Sequence, residues 1–145
     1  MSQKLKEKSL SPEVQAAAIG SPVSAGPLKL SELDDRVTRA LSATSEKKAI
    51  EPTILDLRGI ASFTDFFVIC TGANRRQVQA IADEVVEQLK RHGRPAARVE
   101  GYQNAEWVLV DYGDFLVHIF SPRARDYYDL ERLWRNAKNV EIPAA

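Results

Sequence analysis

Four aspartates lie at the ends of predicted strands: Asp56, Asp65, Asp111 and Asp114. Two carboxylates that converged there could hold metal ions for phosphoryl transfer. None of the four forms the closely spaced Asp-x-Asp or Asp-x-Glu pair that places two carboxylates on one strand face. We therefore expect Asp65 to turn or cap the chain before its strand, and we expect no metal site and no cofactor.

The turn after the second strand is the place where an α/β protein would cradle a phosphate, because free backbone N–H groups point outward at a helix start. Here the turn contains Thr71 and Gly72, but neither GxGxxG nor GxxxxGK[ST] is present. An enzyme that binds or transfers nucleotides, using this turn with Asp65 and Asp111, remains the alternative interpretation.

Two further side chains are candidates for metal binding or catalysis, and the sequence around each predicts a core residue. His118 lies between Val117 and Ile119, and no second ligand stands at metal-binding spacing. Cys70, the only cysteine, ends an apolar run and cannot form an internal disulfide, which suits a reducing compartment. We expect both to be buried, with no nucleophile–base pair formed.

The carboxyl third carries the most informative charge pattern. Between Tyr102 and Glu131 there are six acidic residues and two arginines in a chain of zero net charge. Tyrosines and Trp107 are interleaved with these acids, and aromatic side chains beside charges are typical of protein interfaces. One interpretation is a surface for a basic protein partner. The other is that Trp107 covers the core and the acids are solvated.

Composition restricts the class of protein. The 145 residues are 44% hydrophobic and 28% charged, with 20 basic and 20 acidic side chains, which is typical of one soluble domain. Zero net charge provides no global field to hold DNA or an anionic membrane, so neither is expected as a partner. No apolar run reaches the length of a spanning helix. The amino terminus resembles neither a secretory nor a mitochondrial leader, and we expect a cytoplasmic protein.

Periodicity predicts a mixed α/β sheet flanked by helices, in the order α-β-β-α-β-β-β-α. Asn74 and Gln77 have capping-box spacing before the clearest helix, and Tyr112–Asp114 is short enough to join two strands as an antiparallel hairpin. Residues 1–30 lack apolar periodicity and are expected to be a disordered extension, with at most a turn of helix at 12–19. The domain is assigned to 31–138 and a short tail to 139–145. The predicted strands are 53–57, 65–71, 98–101, 107–111 and 115–120. The predicted helices are 31–48, Asn74 to about 92, and a terminal helix after Ser121–Pro122 that carries Tyr127, Leu130, Leu133 and Trp134.

Six ordered blocks within about Leu33–Ala137 resemble the ribosomal silencing factor family, also called RsfS or Iojap. Family members more often have Tyr where this chain has Phe66, a departure that leaves the implied function unchanged. The first thirty residues lie outside the resemblance. The blocks are Leu55–Leu57, Ser62–Gly72, Arg76–Asp83, Val99–Gly101, Trp107–Asp114 with Val117–Phe120, and Tyr127–Trp134.

The resemblance implies a nucleotidyltransferase-like fold that lacks the catalytic carboxylate motif, and a protein that is not an enzyme. It also implies binding to the fourteenth protein of the large ribosomal subunit, which stops the small subunit from joining and lowers translation when nutrients are short. Organelle relatives act in large-subunit assembly. The sequence leaves open whether the protein forms a homodimer when it is not bound to the ribosome. The partner-binding residues that the resemblance implies are Trp107, Asp111, Tyr112, Gly113, Asp114, Tyr128 and Glu131.

Overall fold

The computed structural model describes residues 28–143. They form one six-stranded sheet with helices on both faces, so the predicted mixed sheet flanked by helices is confirmed. The strands are β1 (Ile50–Asp56), β2 (Phe66–Thr71), β3 (Arg98–Glu100), β4 (Trp107–Asp111), β5 (Phe115–Phe120) and β6 (Lys138–Asn139). The helices are α1 (Asp35–Glu46), α2 (Arg75–Arg91), α3 (Pro122–Tyr128) and α4 (Leu130–Leu133).

The strand order is β3-β4-β5-β2-β1-β6. Only β2 and β5 run parallel, and every other neighbouring pair is antiparallel. This parallel pair occupies the centre of the sheet, and all six residues of β2 are buried, as its continuous apolar run predicts. The β4–β5 hairpin therefore has one of its strands, β5, in the buried centre of the sheet.

Helices α1 and α2 cover one face of the sheet. The 3.6-residue period of α2 turns Val78, Ile81 and Val85 onto that face, as predicted. Its start is capped by Asn74, whose Oδ1 accepts the N–H of Gln77 at 2.9 Å. In return the Gln77 side chain accepts the N–H of Ala73 rather than that of Asn74.

The opposite face is covered by α3 and α4. Trp134 lies there with its ring centroid 6.0 Å from that of Phe67, and Leu130 and Ala124 complete this second core. Because these two helices are short, the aromatic residues of β4 and β5 provide much of the buried surface on this face.

Two predicted helices have different boundaries in the structure. The first does not begin at Ser31, because Leu30–Glu32 form a 3-10 turn and Leu33 is extended. The helix instead begins at Asp35, after Asp34, whose side chain accepts the N–H of Arg36. The terminal helix is broken at Asp129, which has a left-handed φ of 46°.

The folded domain extends past 31–138 on both sides. Leu28 and Leu30 pack against the core, and Lys29 forms a β-bridge with Glu141. Asn139, assigned to the tail by sequence, pairs with Leu55 of β1, and the next residue is buried. The remainder of the predicted extension, with its turn of helix, lies outside the described residues.

Candidate functional site

The seven predicted partner-binding residues fall into two groups, one at each end of β4. Asp111, Tyr112, Gly113 and Asp114 form the β4–β5 turn. Trp107 begins β4, about 13 Å away by the strand rise. Tyr128 and Glu131 lie at that same far end, on the face covered by α3 and α4, and the two groups do not form one continuous patch.

The hairpin turn is fixed by the backbone and by side chains. Asp111 Oδ1 accepts the N–H of Gly113 at 2.8 Å, and Gly113 has a φ of 86°, which only glycine adopts without strain. The carbonyl of Gly113 accepts the Thr64 hydroxyl, and the carbonyl of Asp114 accepts the N–H of Asp65. Tyr112 is buried, so it supports the turn from within. The turn is therefore pre-organised.

Each carboxylate of the turn is paired with an arginine of its own chain. Asp114 accepts hydrogen bonds from Arg36 and, at 3.1 Å, from Arg94, while Arg98 Nε donates to Asp111 Oδ2 at 3.1 Å. Hydrogen bonds to Asp34 and then Asp114 raise the pKa of the Arg36 guanidinium. Both acids of the turn are therefore paired within the chain rather than fully solvated.

The direction of each side chain separates the two acids. The Asp114 side chain is on the sheet face covered by α1 and α2. It pairs there with Arg36, near the start of α1, and with Arg94, just after the end of α2. Asp111 pairs with Arg98 on β3, directly opposite it in the ladder. Asp114 consequently fastens the hairpin to the domain, whereas Asp111 lies on the face that α3 also occupies.

Trp107 is a core residue with only 8% of its surface exposed. Its Nε1 donates to His118 Nδ1 at 3.0 Å, and its ring centroid lies 4.6 Å from that of Tyr128 and 5.1 Å from that of Phe120. The interpretation that Trp107 covers the core is confirmed. An indole already buried in the free chain has little surface left to offer a partner.

Tyr127 is the exposed aromatic residue of this region, with 71% of its surface open. Its ring meets Tyr128 edge-on, with centroids 4.9 Å apart. The sequence predicts one terminal helix that carries Tyr127 together with Trp134, and this is wrong because the left-handed residue Asp129 separates α3 from α4. A turn-forming Asp inside the pattern was the available signal.

The Glu131 carboxylate is paired with an arginine of the same chain. Its carboxylate accepts from Arg125 Nη2 at 2.7 Å and Nε at 3.3 Å. Arg125 also donates to the Glu51 carbonyl and to the Thr71 hydroxyl, at 2.8 and 3.0 Å. This nearly buried guanidinium ties the terminal helices to β1 and β2, so Glu131 positions the surface that carries Tyr127.

His118 and Cys70 are buried, as expected. Because His118 Nδ1 accepts from Trp107, the ring proton is on Nε2, which has no partner within the described residues. Burial lowers the pKa of His118 to about 3 and raises the pKa of the Cys70 thiol to about 12. Neither side chain is suited to acid–base or nucleophilic work near neutral pH.

The residues that the enzyme alternative requires do not lie together in the fold. Asp65 precedes β2 and the Thr71–Gly72 turn follows it, so roughly 17–20 Å of strand lies between them. A Cβ on Gly72 would lie 2.8 Å from Val78 Cγ2, so this glycine serves the packing of α2 on the turn. Within residues 28–143, no group of three or more His, Cys, Asp or Glu side chains could hold a metal ion. No helix in that range is long and apolar enough to cross a membrane.

Comparisons with known proteins agree with one another. Residues 30–145 match the family model described as ribosomal silencing factor during starvation. The ribosomal silencing factor RsfS of Halalkalibacterium halodurans is 45% identical over 103 residues, which is 71% of this chain and 88% of that protein. A crystal structure from Chromobacterium violaceum superposes with a TM-score of 0.70 at 35% identity, covering 78% of this chain and 91% of that one.

A more distant relative is the mouse protein named mitochondrial assembly of ribosomal large subunit protein 1. It is 29% identical over 97 residues, which is 65% of this chain and 42% of that protein. The family match covers most of the described fold, including the hairpin and the terminal helices. The chain therefore belongs to the ribosomal silencing factor family.

Proposed function

We propose that this protein binds the large ribosomal subunit through its fourteenth protein and sterically prevents the small subunit from joining. Membership of the silencing family supports this proposal, and the name of the mouse relative connects that relative with the same subunit. The proposed action is binding rather than catalysis, and it needs no cofactor. Subunit joining would stop because the bound protein occupies space at the intersubunit surface.

The observation that carries the proposal is a pair of pre-organised surface regions, one at each end of the buried strand β4. At one end Tyr128 packs on the first residue, Trp107, and Tyr127 packs on Tyr128. Asp111 and Gly113 lie at the other end. An interface of ordinary size covers about 800 Å² on each partner, enough to include both ends of a strand this short. A surface held rigid before binding loses little conformational entropy on association.

Within this surface the residues have different proposed roles. Tyr127 provides exposed aromatic area, a contact type enriched in hot spots, and Asp111 provides a partly shielded carboxylate. Trp107 and Glu131 act beneath the surface, through Tyr128 and Arg125 respectively. Tyr112 and Asp114 hold the hairpin in position.

Separated ribosomal subunits provide the test. The full chain is added to the separated subunits before they are brought to conditions that favour joining. Free subunits and joined ribosomes are then separated by sedimentation. We expect joined ribosomes to decrease and the protein to migrate with the large subunit. Tyr127→Ala should weaken that binding at least about thirtyfold, because a hot-spot truncation costs about 2 kcal/mol or more.

Tyr127→Phe is the matched control, since it retains the ring and removes only the hydroxyl, and it should bind as the parent does. Both variants should melt like the parent because the side chain is mostly exposed. Migration of the parent with the small subunit, or undiminished joining in its presence, would rule out the proposed function.

A further inference from the structure

A shallow groove of about 620 Å³ crosses the outer surface of α2 beside β3. It lies on the opposite face of the sheet from Tyr127, so it is separate from the surface described above. Its floor is apolar and its rim is charged. The lining residues are Lys47, Ala80, Ala82, Asp83, Glu84, Val86, Glu87, Val99 and Tyr102.

The apolar floor includes a valine at the edge of the sheet. Val99 is 40% exposed and is the central residue of β3. Within the described sheet, β3 pairs only with β4, so its outer edge presents unpaired backbone groups. An open edge beside an apolar floor is the arrangement that accepts an added strand.

The rim is acidic. Asp83, Glu84 and Glu87 line the groove against a single lysine, Lys47, whose Nζ lies 4.0 Å from Glu84 Oε1. Arg91 Nε lies 3.7 Å from Glu87 Oε2, so these three acids and two bases leave a local charge of −1. The Tyr102 hydroxyl donates to Asp83 Oδ2 at 3.1 Å and fixes one side of the rim. A phosphate backbone would be repelled, and a second copy would face the same acids.

We propose that this groove binds an extended, basic segment of a large-subunit protein, with lysines or arginines flanking a small apolar residue, as a strand added to β3. Alternate side chains of a strand are about 6.7 Å apart, close to the roughly 6 Å between Asp83 and Glu87, one helical turn apart. Two cations of the segment would therefore meet the two carboxylates while the backbone pairs with β3.

The position of β3 connects the groove with the proposed interface. Arg98 of β3 lies opposite Asp111 of β4, and the next residue along β3 is Val99. A partner bound along β4 could therefore extend a segment around the edge of the sheet. This inference rests on the proposed function and adds a second contact to it.

Charge reversal tests the rim. Asp83→Lys with Glu87→Lys in the full chain should weaken binding to purified large subunits about tenfold at low salt, and the difference should narrow at about 0.5 M salt. Asp35→Lys with Glu46→Lys is the matched control, because it makes the same change in net charge at exposed positions on α1. Both variants are first checked for native melting.

A photo-crosslinker identifies the occupant. Val99→p-benzoylphenylalanine, irradiated on large subunits, should crosslink to a lysine- or arginine-rich protein segment. Ile50→p-benzoylphenylalanine, at a site with the same 40% exposure, should not label that segment. Crosslinks to ribosomal RNA, to a second copy or to residues 1–27, or no crosslink, would overturn the inference.

The two hypotheses fail differently. If the parent does not sediment with large subunits, the proposed function fails and this inference fails with it. If the parent binds and the groove variant binds as well as its α1 control, only the groove assignment is wrong.

Discussion

Replacing Trp107 with alanine distinguishes a core residue from an interface anchor. The indole is almost entirely buried between Tyr128, Phe120 and His118. Truncating a buried Trp or Phe to Ala costs about 3–5 kcal/mol through lost burial and the remaining cavity. The variant also loses the hydrogen bond to His118 Nδ1, a net contribution of about 1 kcal/mol. We therefore expect a loss of about 4–6 kcal/mol in the free energy of unfolding.

This loss is large on the scale of a single domain, for which stability is about 5–15 kcal/mol. Urea unfolding of the parent and Trp107→Ala, followed by circular dichroism, measures it directly. Trp107→Phe separates the two contributions, because it keeps most of the aromatic volume and removes the N–H donor. That variant should lose about 1–2 kcal/mol, mainly from the hydrogen bond.

Subunit binding completes the comparison. At a temperature where Trp107→Phe is fully folded, it should still bind large subunits nearly as the parent does, since the ring supports Tyr128 without itself being exposed. If Trp107→Ala instead unfolds like the parent and only its binding is lost, Trp107 is an interface anchor and the reasoning from burial is refuted.

Two further predictions concern stability. A His118 pKa of about 3 in the folded chain, against an ordinary 6.5, means that the unfolded state alone takes up a proton below pH 6.5, so stability should fall by about 2 kcal/mol between pH 7.5 and 5. His118→Asn, which retains an acceptor for Trp107, should remove this part of the fall when stability is measured by urea unfolding at each pH. His92→Asn, at the exposed histidine, should retain it. An equal fall in unfolding free energy with pH in all three proteins would contradict the assignment. Gly72→Ala should cost about 1–3 kcal/mol because the new methyl lies 2.8 Å from Val78, and an unchanged urea midpoint would show that α2 moves away freely.

Local patterns in the sequence were sufficient for most of the fold. The apolar run of β2 predicts a strand buried on both faces, and the spacing of Val78, Ile81 and Val85 predicts the buried stripe of α2. Gly113 predicts the hairpin, since a tight turn requires a positive φ. These features depend on residues a few positions apart, where period and turn chemistry act directly.

Features that depend on distant residues were not predictable in this way. Arg36 and Asp114 are 78 positions apart, so no local pattern indicates their pairing. The two-residue strand β6 forms only because β1 presents a partner. Trp107 is a further example. Alternation along β4 indicates which face of the sheet its side chain is on, but it does not indicate which residues cover that face. In the fold Tyr128, one helical turn after the buried Ala124, covers Trp107, while Tyr127 stays exposed.

The internal pairing of the hairpin acids changes how charge contributes to recognition. A count along the sequence gives a net acidic carboxyl third, yet Arg36, Arg94 and Arg98 from other elements neutralise Asp111 and Asp114 in the fold. Charges already paired exert little field on an approaching partner, so contact along β4 depends on shape and aromatic area. On α2, Glu84 pairs with Lys47 and Glu87 pairs with Arg91, and together with Asp83 they leave one negative charge at the open groove. A basic segment bound there, as proposed, would be attracted by this charge over about a Debye length, so its binding should weaken as salt is raised.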